Sequence, residues 1–190
     1  KPLDAQFSDF AYTFGSFEQS RFTIDTNGRV NETGSILYRV NAAQEDANGF
    51  VNFDYLSRTL ISPTVSWQMT DNARLTYYAS YHDHSTRGNQ GVPVVFGDPL
   101  FLPPNRYVGE PANDFFRSEE FRQSLVLEQY LTDEWSLKVG AYSLWYDYPL
   151  STTAASGTPS IPVPPVPEPF FYRSRSVFTE SDESSASVQA

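Results

Sequence analysis

Two histidines on either side of an aspartate are the residues best suited to chemistry in this sequence. His82 and His84 are two positions apart, and in an extended strand that spacing places both imidazoles on one face. Imidazole nitrogens bind Zn²⁺, Cu²⁺ and Ni²⁺, so the pair has a spacing that two metal ligands can use. No third ligand lies near them in the sequence. We therefore predict two polar wall residues and no metal site.

Carboxylates offer the other possible chemistry, that of a general acid and a general base. Glu119, Glu120 and Glu128 follow one another closely, but no pattern fixes their geometry and no nucleophile accompanies them. We predict no catalytic residue, no cofactor and no enzymatic activity.

The stretch 66–83 indicates which elements position these groups. Apolar and polar residues alternate strictly on both sides of a turn at residues 70–72, which is the pattern of a hairpin with one apolar face. The same alternation predicts about eight strands, at 7–14, 21–25, 36–45, 53–69, 74–82, 121–128, 137–142 and from Phe171 onward. Pro63 lies inside the fourth strand, although its missing N–H normally restricts proline to an edge strand. The fold class predicted is all-β.

Composition limits the possible partners. The 190 residues are 39% hydrophobic and 16% aromatic, carry a net charge of −10 and include no cysteine. Nucleic acid is excluded as an expected partner, because its phosphates need clustered lysine and arginine. Without cysteine there are no disulfides and no thiolate metal sites. No apolar run approaches the ~18 residues of a membrane helix, whereas a membrane β-strand needs only ~9–11 residues.

The lengths of the connections alternate along the chain. Short turns are predicted at 26–34, 70–72 and 132–134, and long, proline-rich and glycine-rich loops at 84–114 and after Tyr148. In an up-and-down antiparallel sheet alternate connections share an edge, so one edge carries short turns and the other carries long loops. This asymmetry is typical of outer-membrane barrels. Trp67 and Trp135 lie beside short turns, where interfacial aromatic residues are expected.

Charged residues follow the alternation. A lysine or arginine that faces lipid at mid-membrane costs about 2–4 kcal/mol, so charges should avoid the apolar face. The charged strand residues all fall in the polar set: Arg21, Asp25, Arg39, Arg58, Arg74, Arg122, Glu128 and Lys138. We predict that this face is wet or covered by protein.

Several short motifs, in order, resemble those of a known family. These are Lys1-Pro2-Leu3 at the start, Gly15-Ser16-Phe17 with Arg21, the run Tyr38-Arg39-Val40-Asn41-Ala42-Ala43, the run from Ile61 to Gln68 with Thr70-Asp71-Asn72, and Arg106-Tyr107-Val108-Gly109-Glu110-Pro111. Together they resemble the TonB-dependent siderophore receptors of the bacterial outer membrane, particularly the ferrichrome-receptor type. The resemblance runs over roughly residues 1–137.

The resemblance implies an architecture and a function. It makes residues 1–190 a partial barrel domain, with about eight strands of a transmembrane barrel of about 22 strands. The plug domain and the C-terminal barrel strands of the family fall outside this sequence. The implied function is uptake of a ferric siderophore energised through TonB, and the implied partners are the siderophore, the protein's own plug, the TonB complex and outer-membrane lipid.

The resemblance also implies site residues. Aromatic residues of the outer loops and nearby wall are expected to contact ligand: Phe96, Phe101, Tyr107, Phe115, Phe116, Trp145, Tyr146 and Tyr148. Lumen residues are expected to face the plug: Arg21, Arg39, Arg58, Arg74, Arg122 and Glu128.

Two other interpretations remain open at this stage. About eight strands can close into a complete small barrel with a structural or adhesive role. Against it, the chain lacks a closing strand with an aromatic C-terminus, and residues 181–187 are polar for a lipid-facing strand. The other alternative is a soluble β-rich carbohydrate-binding domain.

Overall fold

The computed structural model describes residues 1–89, 91–95, 97–160, 170–178 and 183–189. Within these residues the chain forms ten β-strands, and no helix there is long and apolar enough to cross a membrane. The strands are β1 (Phe7–Phe14), β2 (Ser20–Arg29), β3 (Ile36–Asn48), β4 (Tyr55–Thr70), β5 (Ala73–Thr86), β6 (Phe115–Tyr130), β7 (Ser136–Asp147), β8 (Leu150–Ser160), β9 (Phe170–Phe178) and β10 (Glu183–Gln189). The all-β fold class predicted from the alternation is confirmed.

A single antiparallel sheet contains all ten strands. Its main order is β1-β2-β3-β4-β5-β6-β7-β10, and each strand pairs antiparallel with its neighbour. β1 and β10 are the two ends of this order, so the described strands leave the sheet open. The complete small barrel is therefore not what these strands form.

The last four strands form one long double hairpin. β7 pairs with β10, and β8, which follows β7 after two residues, pairs with β9. β8 also continues beside β6, where Phe115 is opposite Ser151 and Phe116 is opposite Leu150. β8 thus extends the line of β7 beyond the main sheet.

This double hairpin corrects one predicted element. The loop expected after Tyr148 contains β8, and the strand expected from Phe171 is β9, whereas the strand beside β7 is β10. β8 is rich in serine, threonine and alanine and lacks the alternation by which the other strands were predicted, and in β10 only Ala186 and Val188 alternate with polar residues. The prolines between residues 162 and 169 lie outside the described residues.

Pro63 lies in an interior strand. β4 has β3 on one side and β5 on the other, and Pro63 is opposite Val40 of β3. The ladder between β4 and β5 is interrupted at Ser62 and Pro63, as expected where a backbone donor is missing. The hydroxyls of Ser62 and Ser80 are hydrogen-bonded at 3.0 Å across this gap, which keeps the two strands joined.

The register aligns apolar residues into rows on one face, which we call the apolar face. One row crosses seven strands: Phe10, Ile24, Ala42, Ile61, Tyr81, Phe121 and Trp145. Another row, nearer the short turns, contains Ile36, Trp67, Leu75, Leu127 and Val139. The six-residue interval from Ile61 to Trp67 corresponds to about 20 Å of strand. That distance is close to the ~25 Å apolar band of membrane barrels.

From β3 to β7 the apolar face ends in polar residues toward the long loops. The next row beyond Tyr81 contains Gln44, Thr59, Asp83, Glu119 and Asp147. We call this end of the sheet, with connections 15–19, 49–54 and 87–114, the long-loop edge. The opposite end, with connections 30–35, 71–72 and 131–135, is the short-turn edge.

Apolar side chains are exposed and polar side chains are buried, which is the reverse of the arrangement in an ordinary globular domain. Large apolar side chains such as Phe10, Tyr12 and Phe14 of the apolar face are exposed. Most of the described side chains that are buried are polar: Asn27, Glu45, Ser66, Thr76, Asp114, Ser118, Ser151 and Thr153. The sheet therefore presents its apolar groups outward and holds its polar groups in contact with one another.

Candidate functional site

The opposite face, which we call the polar face, contains a cleft of about 580 Å³ near the long-loop edge. Five strands supply its wall, from β2 through β6. The lining residues that carry charge or an imidazole are Arg21, Glu45, Arg58, His82, Glu120 and Arg122. The volume lies within the range of small-molecule binding sites, which is about 300–1,000 Å³.

One wall of the cleft is a cluster of two arginines around a buried glutamate. The register places Arg21 and Arg58 on opposite sides of Glu45, so the three side chains meet on one face. Glu45 Oε2 accepts hydrogen bonds from Arg21 Nη1 at 2.6 Å and from Arg58 Nη2 at 2.6 Å. Gln19 donates to Glu45 Oε1 at 2.8 Å. The carboxylate is only 6% exposed, whereas the two guanidinium groups stay partly open to the cleft.

The other wall combines a second ion pair with aromatic rings. Arg122 Nε donates to Glu120 Oε2 at 2.9 Å, and the Tyr148 hydroxyl donates to Glu120 Oε1. The rings of Tyr146 and Tyr148 are stacked with centroids 5.0 Å apart. Tyr146 is directly opposite Glu120 in the β6–β7 ladder. Charged and aromatic groups therefore adjoin one another at this edge.

The two histidines also belong to the polar face. Their rings are stacked with centroids 6.1 Å apart, and His84 meets the ring of Phe116 edge-on at 6.0 Å. Among the described residues no group of three histidine, cysteine or acidic side chains is arranged to hold a metal ion. The histidine pair thus forms part of an aromatic wall.

The structure separates the eight aromatic residues predicted to contact ligand. Tyr146 and Tyr148 stack on each other beside the cleft, and Phe116 meets His84 edge-on on the same polar face. Phe115 and Trp145 lie on the side of the sheet that bears Phe121 and do not join them. Tyr107 is buried in the connection 87–114, and Phe101 lies half-exposed in the same connection. Phe96 lies outside the described residues. Ligand contact stays a prediction for all eight.

All six predicted lumen residues lie on the polar face, and they divide into two groups. Arg21, Arg58 and Arg122 line the cleft. The other three lie toward the short-turn edge and have partners within the chain. Arg39 makes a two-point contact with Asp25 at 2.9 and 2.7 Å, Arg74 donates to Gln68 at 2.8 Å, and Glu128 contacts Lys1 at 3.3 Å.

The N-terminal residues lie across the polar face at the short-turn edge. Asn27, which is fully buried, accepts a hydrogen bond from the Leu3 amide and donates to the carbonyls of Leu3 and Ala5. Lys1 reaches Glu128 of β6, four strands away from β2. The N-terminal residues therefore cover the part of the polar face that adjoins the short-turn edge.

The long connection 87–114 is fastened by a buried carboxylate. Asp114 Oδ2 accepts from the Tyr107 hydroxyl at 2.8 Å and from the Glu110 amide at 2.7 Å, and Asp114 Oδ1 accepts from the Thr153 hydroxyl at 2.7 Å. Burial by itself raises the pKa of Asp114, but the hydrogen bonds from Thr153, Glu110 and Tyr107 together lower that pKa below its ordinary value. Burial, and then the contact with Asp114, raise the pKa of the Tyr107 hydroxyl.

An arginine completes this cluster, which we call the loop clamp: Arg87, Tyr107, Gly109, Asp114 and Thr153. The Arg87 guanidinium lies over the rings of Tyr55, at 5.3 Å, and Tyr107, at 5.9 Å, and donates to the carbonyl of Pro111. Gly109 packs so tightly that a Cβ there would meet the Tyr107 hydroxyl at 2.7 Å and would overlap Asp114.

Sequence reasoning identified some of these residues and missed others. The motif at residues 106–111 contains Tyr107 and Gly109, and the clamp explains its composition. Arg87 and Thr153 were missed because their partners are 24 and 39 positions away, and Asp114 was missed although Tyr107 and Glu110 are near it in sequence. Glu45 falls in the polar set of its strand, but only the register shows that it joins two arginines.

Trp67 and Trp135 lie at the short-turn edge, as predicted. Trp67 belongs to the apolar face and is opposite Leu75 and Ile36. Trp135 closes the β6–β7 turn, where its carbonyl accepts from the Leu131 amide at 2.9 Å. Both indole rings are largely exposed, and their contact with a membrane interface stays a prediction.

Comparison with known proteins finds receptors whose sequences resemble this chain. No family model matches the chain. Over 142 residues it is 28% identical to the metal-pseudopaline receptor CntO of Pseudomonas aeruginosa in two strains, an alignment that covers 75% of this chain and 20% of the receptor. The chain therefore spans about a fifth of the length of the curated relatives that it matches.

Solved structures share the fold. The open form of Fiu, the ferric-catecholate import receptor of E. coli, superposes with a TM-score of 0.79 at 16% identity, over 95% of this chain and 30% of Fiu. P. aeruginosa FpvA bound to heterologous pyoverdines gives 0.76 at 19% identity, over 86% of this chain and 22% of FpvA. The predicted resemblance to siderophore receptors and the predicted fold class are thus confirmed.

Proposed function

We propose that this chain is part of the barrel of an outer-membrane receptor that takes up ferric siderophores with energy supplied through TonB. The observation that carries this proposal is the sequence similarity to CntO, which extends over three quarters of the chain. The two faces of the sheet support it, because the apolar rows suit lipid and the polar face suits a water-filled or plugged lumen.

In this role the chain binds a ferric siderophore and lets it pass, and it catalyses no reaction. The charged residues of the cleft are paired with one another, and their groups bind and orient a ligand without breaking a bond in it. The rings of Phe116, Tyr146 and Tyr148 supply flat apolar surface beside those charges. Placed polar groups fix the orientation of a small-molecule ligand, and aromatic rings supply apolar contact.

The rest of the polar face suits contact with a plug domain and with the remaining barrel strands, which in this proposal are encoded outside the sequence described. Arg39 and Arg74 lie between the cleft and the short-turn edge, and each already has a hydrogen-bond partner within the sheet. We expect both to add charge-assisted hydrogen bonds to the plug. The TonB complex would act on the plug and would not touch this part of the barrel.

Deletion of the gene in its own bacterium tests the proposal. Under iron limitation, cells without the gene should take up less radiolabelled iron from the siderophore that they secrete, and the wild-type gene on a plasmid should restore uptake. Unchanged uptake in a strain whose other siderophore receptors are also deleted would contradict the proposal. Cell fractionation provides the second measurement, since the whole protein should be recovered in the outer membrane.

A further inference from the structure

The charges of the cleft are unbalanced in favour of cations. Arg21, Arg58 and Arg122 face two carboxylates, Glu45 and Glu120. The whole chain has a net charge of −10, so a local excess of positive charge is contrary to its average composition. Such an excess in a concave site raises the local concentration of anions.

The two arginines at Glu45 keep hydrogen-bond donors for a ligand. Arg21 bonds Glu45 through Nη1, and Arg58 bonds it through Nε and Nη2, which leaves the remaining N–H groups of each guanidinium outside this contact. The Arg21 side chain is 39% exposed and that of Arg58 is 45% exposed, whereas Glu45 is buried between them. Glu45 therefore holds two guanidinium groups side by side, with their free edges toward the cleft.

We propose that the cluster of Arg21, Glu45 and Arg58 is an anion subsite, and that the receptor selects iron chelates of net negative charge over uncharged ones. This inference rests on the proposed function. A guanidinium matches two oxygens of an anionic group in a forked contact, and such charge-assisted hydrogen bonds are about twice as strong as neutral ones. Carboxylate chelates and catecholate chelates both present anionic oxygens, so the subsite fits that shared chemistry.

Glu45 acts as a positioning residue in this site, because it reaches the ligand only through the arginines. Neutral residues in place of the three arginines would give an anionic chelate no advantage over an uncharged one. Three fixed guanidinium groups instead favour the chelate that brings negative charge.

The experiment uses the full-length receptor in the outer membrane of a strain that lacks other siderophore receptors. Uptake is measured with radiolabelled iron bound to citrate, to a tris-catecholate and to ferrichrome, an uncharged hydroxamate. The variants are Arg21→Gln and Arg58→Gln, with Arg58→Lys to keep the charge and remove the fork. Arg29→Gln is the control, because Arg29 lies at the short-turn edge, outside the cleft, and pairs with Asp4. Heat-modifiable gel mobility verifies that each variant is folded.

We expect uptake from at least one anionic chelate, and an increase of about tenfold or more in its half-saturating concentration in Arg21→Gln and Arg58→Gln, in line with loss of a charged hydrogen bond. Arg58→Lys should fall between these variants and wild type, and Arg29→Gln should match wild type. The citrate and catecholate arms identify the source of the anionic oxygens.

Two results would overturn the anion subsite and leave the proposed function standing. One is uptake of ferrichrome without uptake of either anionic chelate, and the other is an equal effect of Arg29→Gln and the two cleft variants. Failure of the receptor to restore uptake of the siderophore that its own bacterium secretes would overturn the proposed function together with the subsite.

Discussion

Thr153 and Asp114 join β8 to the long connection 87–114. The Thr153 hydroxyl donates to Asp114 Oδ1 at 2.7 Å, although 39 positions separate the two residues, and both side chains are buried. Thr153 belongs to β8, and Asp114 ends the long connection before β6. This contact therefore makes the two extensions at the long-loop edge a single unit.

Removal of the Thr153 hydroxyl should loosen that unit. In Thr153→Val the shape is kept and Asp114 loses one donor, which costs about 1–3 kcal/mol where the acceptor stays buried. Amide hydrogen exchange in residues 106–114 should become faster than in wild type. Thr13→Val on the exposed end of β1 is the control and should leave exchange in residues 106–114 unchanged. Equal exchange in Thr153→Val and wild type would show that the contact does not hold the loop.

Acid should release the same loop, with a defined sign. Hydrogen bonds lower the pKa of folded Asp114, so its stabilising effect is fully present above the unfolded pKa of about 3.9 and is lost as the pH falls through the lower folded value. The protection factors of residues 106–114, which are the intrinsic exchange rates at each pH divided by the measured rates, should thus be high and constant from pH 7 to about pH 4 and fall below it. Asp114→Asn should show lower protection at neutral pH and lack the part of the acid loss that is due to this carboxyl, a difference that isolates it from other titrating groups.

Gly109 is the position in this loop least tolerant of a side chain. A Cβ would overlap Asp114 and approach the Tyr107 hydroxyl at 2.7 Å, so Gly109→Ala must push the clamp apart. We expect trypsin to cut more rapidly after Arg106 in this variant. Gly88→Ala is the matched control, because its Cβ would meet Thr152 at an ordinary 3.4 Å. Equal cleavage rates in both variants would contradict the packing described.

The sequence predicts the faces of β1 to β7 well, because a period of two depends on one strand at a time. Phe14 and Arg58 fall on opposite faces by that rule alone. Contacts between strands cannot be predicted from one strand at a time. Glu45 is opposite Arg58 because of the register between β3 and β4, and that register depends on the turn at residues 49–54. β10 was not separated from the strand expected from Phe171, because Ala186 and Val188 are its only apolar residues.

Turn chemistry was also predicted only in part. Gly15 is the glycine of the turn after β1, but the positive φ values there belong to Phe17, at 60°, and Glu18, at 57°. Two successive residues of that kind match the mirror-image turn that joins twisted antiparallel strands. The usual sequence for it is rich in asparagine and glycine, so Phe17 and Glu18 gave no signal.

The N-terminal segment should depend on one buried amide. Asn27→Ala removes the three hydrogen bonds that hold Leu3 and Ala5 and leaves their backbone groups without these partners. The Leu3 amide should then exchange at least tenfold faster. Asn41→Ala, also on the polar face, provides the comparison and should leave Leu3 protected. Slow exchange at Leu3 in Asn27→Ala would mean that the ion pair between Lys1 and Glu128 suffices to hold the segment.

The two faces of β6 allow a direct test of which one meets lipid. Leu125 lies on the apolar face and is 44% exposed, and its neighbour Ser124 lies on the polar face beside Tyr78 and Tyr142. In the full-length receptor, Leu125→Arg should lower the free energy of unfolding from the membrane by about 2–4 kcal/mol, because the guanidinium would enter hydrocarbon. Ser124→Arg places the same group in the lumen and should cost far less. Urea unfolding in lipid vesicles, followed by heat-modifiable mobility, measures both, and equal losses would show that the apolar face does not contact lipid.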